Sequence, residues 1–598
     1  MKNISLIVLY FLFFSQVFCQ TEKKLIILHT NDMHSRLTGY GPESSYTPLS
    51  INDDKTVGGF ARIATLIKEE KEKSPSNTIV VDAGDFLMGT LFQALEVKTG
   101  LELHLMKKMG YDVGCLGNHE FDFGPDKLAS IIKSALNQGE IPKIMIGNSV
   151  FDENDKRDIQ LEDLFRNNVL SRSTVIDING LKVGFFSLIG INAAKDAPKA
   201  DPVKFAKQTS FARKMVKELK DEKCDIIVCL SHSGVTKDKK GEWGGEDVEL
   251  AESVKGINLI IGGHTHTQLD KPIMVKGVPI VQAGDFGRFI GRLALSWNGT
   301  SLKVDDYQLL PIDDRIMGDR VINDLVEHQK DLISDEVLKP LGMSYGKPVA
   351  ESGFQLECDE DGDFVGSNLG PLAADAIQYY VNRHNPQGTD LSMVAVGMIF
   401  EKILPGLICA PDIFRVMPLG SGGDDVPGYA LSRLYVRGRE LKNILEILQV
   451  AYKSAPENYI YYSGIRVEYN PDKGILRKIK KVEIVKKDGT KVNVDFSRKN
   501  KTLYSITADS YMLEFIGIIK KKSFGLINVV PKDVEGKKVT DMKTAVIDMD
   551  SKKSGVQEGK EWLALIEFLM QMKDTNGDGI PDIDNKYSVP VNSFIPVK

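Results

Sequence analysis

The chain has 598 residues, 42% of them apolar and 26% charged, with 76 basic against 82 acidic side chains. That length implies more than one domain, and the apolar share excludes wholesale disorder. A net charge of −6 excludes nucleic-acid binding driven by a global positive field. Past residue 20, no uncharged apolar run approaches the roughly 18 residues that a membrane-spanning helix needs.

The first element is a short apolar run. Lys2 precedes Ile4–Phe14, and the polar residues Gln20–Lys24 follow. This order predicts a secretory signal over residues 1–19, hence an exported protein that is periplasmic, secreted or at the cell surface. Two variants stay open: a retained anchor, or a lipid on Cys19. The five other cysteines are too few and too scattered for a disulfide framework.

From Lys24 to Pro311, short apolar runs end abruptly in polar loops. Leu25–Leu28 leads into Asp32 and His34, Thr78–Val81 into Asp85, and Val113–Leu116 into Asn118, His119 and Asp122. Asp225–Leu230 leads into His232, and Leu259–Ile261 into His264 and His266. Continuous apolar runs of this length predict strands buried on both faces, in an α/β layered fold. Helices are predicted between them at Gly59–Lys71, Lys127–Leu136 and Phe205–Leu219. In such folds ligands gather beyond the carboxyl ends of the strands, where these Asp, Asn and His residues lie.

An amphipathic helix is predicted over Arg320–Leu338, as a connector within residues 313–345, closed by Pro340 and Gly342. A second α/β region follows over 346–550, with helices at Asn368–Asn382 and Leu441–Ala451 and strands at Lys480–Lys486 and Thr502–Thr507. Residues 551–598 carry a helix at Trp562–Met572 and then Asp574, Asn576, Asp578, Gly579 and Asp582. Oxygen donors at alternating positions with a glycine at the turn fit a hard cation such as Ca²⁺. The alternative is a polar turn without a ligand.

Imidazoles, carboxylates and an Asn carbonyl suit two divalent transition-metal ions, Zn, Mn, Fe, Ni or Co, and the lack of thiolates argues against a closed structural zinc site. A lone carboxylate such as Asp85 can bridge two cations. A histidine not needed as a ligand can serve a phosphoryl oxygen or a leaving group.

These motifs, Asp-x-His, Gly-Asp, Gly-Asn-His-Glu-x-Asp and Gly-His-Thr-His, together resemble the calcineurin-like metallophosphoesterases. The longer likeness is to the exported 5′-nucleotidases, a family that also includes UDP-sugar hydrolases and 2′,3′-cyclic-nucleotide phosphodiesterases. The resemblance implies a four-layer αββα catalytic domain over 20–312 and a substrate-binding C-terminal domain. It implies one ion on Asp32, His34, Asp85 and His266, and a second on Asp85, Asn118, His232 and His264. His119 would stabilise the transition state, and Asp122 would orient it. The substrate would be a small phosphate ester, by default a nucleotide.

The second half departs from that family. Where its Asn-Gly-Gly-x-Arg segment contacts the ligand, this chain reads Val394–Lys402, with Glu401 and no arginine. Of the two aromatics that sandwich the base, the first stands as Leu419 after Pro418, and Tyr511 is the candidate for the second. Two alternatives remain open: a non-nucleotide anionic ester (a sugar phosphate or a sulfur anion), and a non-catalytic surface binding or adhesion protein.

Overall fold

The computed structural model describes residues 22–358, 366–424, 426–451, 459–474, 476–513 and 529–598. The predicted signal and Cys19 lie outside them.

The first half is built on two stacked sheets. The seven-stranded sheet pairs Lys23–Thr30 in parallel with Thr78–Asp82, which pairs with Val113–Cys115. The six-stranded sheet centres on Ile226–His232, parallel to Leu181–Ile189 and to Leu259–Gly262. Alternation explains the stacking. Leu25, Ile27, Ile79 and Val81 face the second sheet and meet Val183, Phe185, Val228 and Ile261. Leu28 and Val80 point the other way, into the helices Phe60–Lys73, Leu101–Met109 and Pro125–Gln138. Phe186, Leu188 and Ile227 face the helices Gln208–Asp221 and Glu246–Ser253. Strands that are apolar on both faces thus give the expected helix–sheet–sheet–helix order.

One element differs from the sequence reading. The helix expected from Phe205 starts at Gln208, because Lys204–Phe205 pairs with Ser149–Val150 as a short antiparallel ribbon. The helix Arg320–Ile333 is amphipathic as expected. It lies against Phe60–Lys73 and Leu101–Met109 and buries Ile322, Val326 and Ile333.

In the second half, a four-stranded sheet runs in the order Leu431–Arg437, Leu503–Asp509, Leu391–Ala395, Ile460–Ser463. The helix Leu369–His384 covers it and packs on Glu561–Met570. The tail loop after that helix docks on the strand Pro348–Ser352, where Glu351 N donates to Pro581 O (2.8 Å) and Ile583 N to Glu351 O (2.9 Å). Among the described residues, no helix is long and apolar enough to cross a membrane.

Candidate metal centre

The strand ends of the two sheets converge. Parallel register aligns Thr30 with Asp82 and Ser231 with Gly262, so the loops beyond them start at one level. Backbone bonds then lace the loops together: Asp32 N donates to Gly84 O and His34 N to Asp85 O, each at 2.9 Å, and Phe286 N donates to Asp32 O at 2.7 Å. Asp32, His34, Asp85, His264 and His266 all adopt left-handed φ, between 50° and 73°. Each such residue costs of the order of 1 kcal/mol or more. Five in one place mark a local geometry held by its surroundings.

The side chains form three overlapping groups: Asp32, His34 and His266; His34, Asp85 and His119; and Asp85, His232 and His264. Asn118 joins them, its Oδ1 3.1 Å from His232 Nε2. All the strand-end residues singled out in the sequence are therefore brought to one place.

Hydrogen bonds fix the ring tautomers. His232 Nδ1 donates to Ala83 O (2.9 Å), which leaves Nε2 facing Asp85 Oδ2 at 2.9 Å and the Asn118 carbonyl. His34 Nδ1 donates to Met88 O (3.1 Å), and His266 Nδ1 donates to Asp285 Oδ2 (3.1 Å). Their Nε2 atoms then face each other at 3.0 Å, with Asp32 Oδ1 4.0 and 3.6 Å away. Such outer partners are the usual means of aiming imidazole ligands. Lone pairs and carboxylates pointed at common centres need positive charge between them, so the donor set fits divalent cations.

Electrostatics agree. Burial lowers the pKa of His232, yet Asp85 and Asp32 outweigh it and carry the value up to about 10. Burial raises that of Asp85, but His232 and His119 hold it well below the usual carboxylate range. His119 Nδ1 lies 2.7 Å from Asp122 Oδ2. Burial lowers its pKa also, but Asp122 and Asp85 lift it to about 9.

Three residues of this shell were not singled out in the sequence. Glu120 accepts from Asp85 N (3.1 Å), Leu87 N (2.9 Å) and Gly117 N (2.5 Å). Asn31 donates to Asp32 Oδ2 (2.7 Å), and Asp285 holds His266. Glu120 stands inside the Gly-Asn-His-Glu-x-Asp motif, and Asn31 directly precedes Asp-x-His.

The second half closes over the cluster. Phe400, Arg415 and Leu419 face His34, Arg36 and His119 across a small cleft. Glu401 forms a buried ion pair with Arg36. Arg415 contacts Asp412 Oδ1 (2.5 Å) and Glu43 Oε2 (3.3 Å), joining the two halves. Leu419 is thus in the cleft but is not the residue that meets Tyr511. Tyr511 stacks on Tyr429, with ring centroids 5.5 Å apart and planes inclined by 14°. Asp574, Asn576, Asp578 and Asp582 sit together in the tail loop, far along the chain from this centre. Asn576 Nδ2 donates there to Glu351.

Residues 25–268 match the calcineurin-like phosphoesterases, and residues 350–514 match the 5′-nucleotidase C-terminal domain. The chain is 28% identical to Protein 5NUC of Lutzomyia longipalpis, over 82% of this chain and 84% of that one. It is 26% identical to the apyrase of Aedes aegypti, over 82% and 84%. It is 27% identical to the 5′-nucleotidase of Rattus norvegicus, over 75% of each. Among solved structures, a 5′-nucleotidase precursor from Thermus thermophilus shares the fold, with a TM-score of 0.65 and 21% identity over 94% of this chain and 100% of that one. Two sheets converge on a cation-seeking cluster, and the chain carries in order a region that matches the calcineurin-like phosphoesterases and one that matches the 5′-nucleotidase C-terminal domain.

Proposed function

We propose that this protein is an exported phosphoesterase that hydrolyses nucleotides at a dinuclear centre. The observation that carries the reading is the pair of imidazole–carboxylate groups on either side of Asp85, with His119 beside them. Asp32, His34, Asp85 and His266 would hold one divalent ion, and Asp85, Asn118, His232 and His264 the other. Bound there, the ions supply Lewis acidity toward a phosphoryl oxygen and toward water.

The chain's own residues do the rest. Asp122 takes His119 Nδ1, which favours the protonated ring and turns Nε2 toward the substrate. As water attacks phosphorus and the ester P–O bond breaks, His119 stabilises the charge that develops on the departing oxygen. Phe400 and Leu419 close the cleft and limit water access. Tyr511 and Tyr429 supply planar faces for the base, in place of Leu419. The tail loop would hold a calcium ion on Asp574, Asn576, Asp578 and Asp582, with Glu351 supplying the carboxylate that the loop itself lacks at its end.

A second reading, a non-nucleotide anionic ester, is favoured by Glu401, an acid where relatives are expected to carry a ligand-binding arginine. One panel tests both. Purified mature protein with Mn²⁺ or Zn²⁺ is assayed on an aryl phosphate, nucleoside monophosphates, cyclic nucleotides and sugar phosphates. Turnover that favours nucleotides and falls by about 10²–10⁴ in His119→Ala supports the proposal. A preference for sugar phosphates transfers it to the second reading, and no turnover with any metal sinks it.

A further inference from the structure

The strand Leu181–Ile189 runs parallel to Ile226–His232, with Ile189 opposite His232, so its loop leaves the sheet beside the metal centre. None of the donors named above comes from that loop. It opens with the short helix Ile191–Lys195, which ends at Asp196. Its main chain is well anchored. Gly190 N donates to His232 O (2.8 Å), Glu246 accepts from Ile191 N (2.6 Å) and Asn192 N (2.9 Å), and Asp196 N donates to Asn192 O and Ala193 O, each at 3.1 Å. The Asp196 carboxylate, by contrast, accepts no hydrogen bond among the described residues. Its Oδ2 stands 3.8 Å from His264 Nε2.

His264 is the ring of the centre that lacks an outer partner. His232, His34, His266 and His119 each give Nδ1 to an acceptor, at 2.9, 3.1, 3.1 and 2.7 Å, which leaves Nε2 for the centre. The main chain of His264 is fixed, since its N–H donates to both oxygens of Asp32 at 3.0 Å. Its ring makes no hydrogen bond among the described residues. An imidazole ligand with one nitrogen unclaimed can turn, and an outer acceptor is the usual means of stopping it. Asp196 is the acceptor at hand. It lies near His264 yet in none of the three donor groups, which is the place of an outer partner rather than of a ligand.

We propose that Asp196 is a positioning residue of the second ion site, which accepts a hydrogen bond from His264 Nε2 and so presents Nδ1 of that ring to the ion. This rests on the two-ion reading above and adds a residue to it. The Asp196 side chain is 64% exposed, and a closure of roughly 1 Å brings the pair to hydrogen-bond distance. Two consequences follow from the geometry. His264 uses the opposite nitrogen from His34, His232 and His266. Charge also becomes more even: the first proposed ligand set holds Asp32 and Asp85, the second only Asp85, and a carboxylate behind His264 raises the basicity of a ligand where anionic charge is lowest.

The test reads metal binding rather than turnover. The full chain is stripped with a chelator and titrated with Zn²⁺ by calorimetry, as wild type, Asp196→Ala and Asp196→Asn. Asp196→Ala is expected to weaken one of the two ions by about 10–100-fold and to leave the other unchanged. Asp196→Asn keeps an acceptor oxygen and retains most of the affinity. Side-chain nitrogen NMR of the zinc-loaded wild type is expected to show one histidine bound through Nδ1 and three through Nε2. The N–H signal of that one ring is lost to faster solvent exchange in Asp196→Ala. Unchanged affinity for both ions in Asp196→Ala, an equal loss at both, or four rings bound through Nε2 overturns the role of Asp196 alone. A wild-type chain that takes fewer than two ions overturns the two-ion reading and this role with it.

Discussion

Gly117→Ala adds one methyl group at the most crowded point of the metal centre. A Cβ there would lie 2.2 Å from Asp85 Oδ1 and 2.7 Å from both Asp85 N and His232 Cε1. Carbon and oxygen in ordinary contact sit more than 3 Å apart, so the carboxylate must retreat by roughly 1 Å. It has nowhere to go. Asp85 Oδ1 accepts from His119 N at 2.8 Å, Oδ2 faces His232 Nε2 at 2.9 Å, and the side chain is 2% exposed. Overpacking of this kind costs about 1–3 kcal/mol of stability, which a domain of this size can survive. A misplacement of about 1 Å costs of the order of 10²-fold in rate, and here the displaced group is the one shared between both proposed ion sites. The variant is expected to fold, with Tm lowered by a few degrees, to retain well under two metal ions per chain by elemental analysis, and to lose at least about 10² in aryl phosphate kcat/KM. Gly114→Ala is the control, since the nearest atom to its Cβ is a flexible Ile144 Cδ1 at 3.2 Å. A Gly117→Ala protein with full metal content and more than about a tenth of wild-type activity would refute the role given to Asp85.

In metal-free protein, His119 followed by NMR is expected to titrate near pH 9. Burial opposes its charged form, but Asp122 and Asp85 favour it, so the ring stays protonated below that pH and loses its proton above it. Asp122→Asn removes one of those charges and moves the titration down toward the ordinary histidine range; an unmoved titration contradicts the pairing. Arg415→Met leaves Asp412 without its cation while Glu43 keeps Lys330, and loss of one member of a buried ion cluster costs about 3–5 kcal/mol, which chemical denaturation reads directly. Added Ca²⁺ is expected to raise Tm by several degrees at saturating concentration, and Glu351→Gln to reduce that rise; a Tm that ignores Ca²⁺ removes the tail-loop site. Tyr429→Ala is expected to weaken AMP binding by about 1–3 kcal/mol, whereas Leu419→Ala, which opens the cleft without removing a stacking face, is expected to weaken it less.

The sequence makes the first half legible because strands buried on both faces read as apolar runs, and the donors must stand in the loops that end them. Asp32, Asp85, Asn118, His232 and His264 are separated by up to 232 residues, yet each is placed by its own strand. The second half is harder to read because its contacts depend on pairings between distant strands. Tyr429 shows why. The strands Leu431–Arg437 and Leu503–Asp509 pair antiparallel with Leu431 opposite Asp509. The residue two before one strand and the residue two after the other must then leave the sheet at the same end, and these are Tyr429 and Tyr511. The residue after Pro418 is Leu419, ten positions before the tyrosine that stacks on Tyr511. The same reasoning applies to Glu351, which no spacing rule links to Asp582 until Pro348–Ser352 lies alongside the tail.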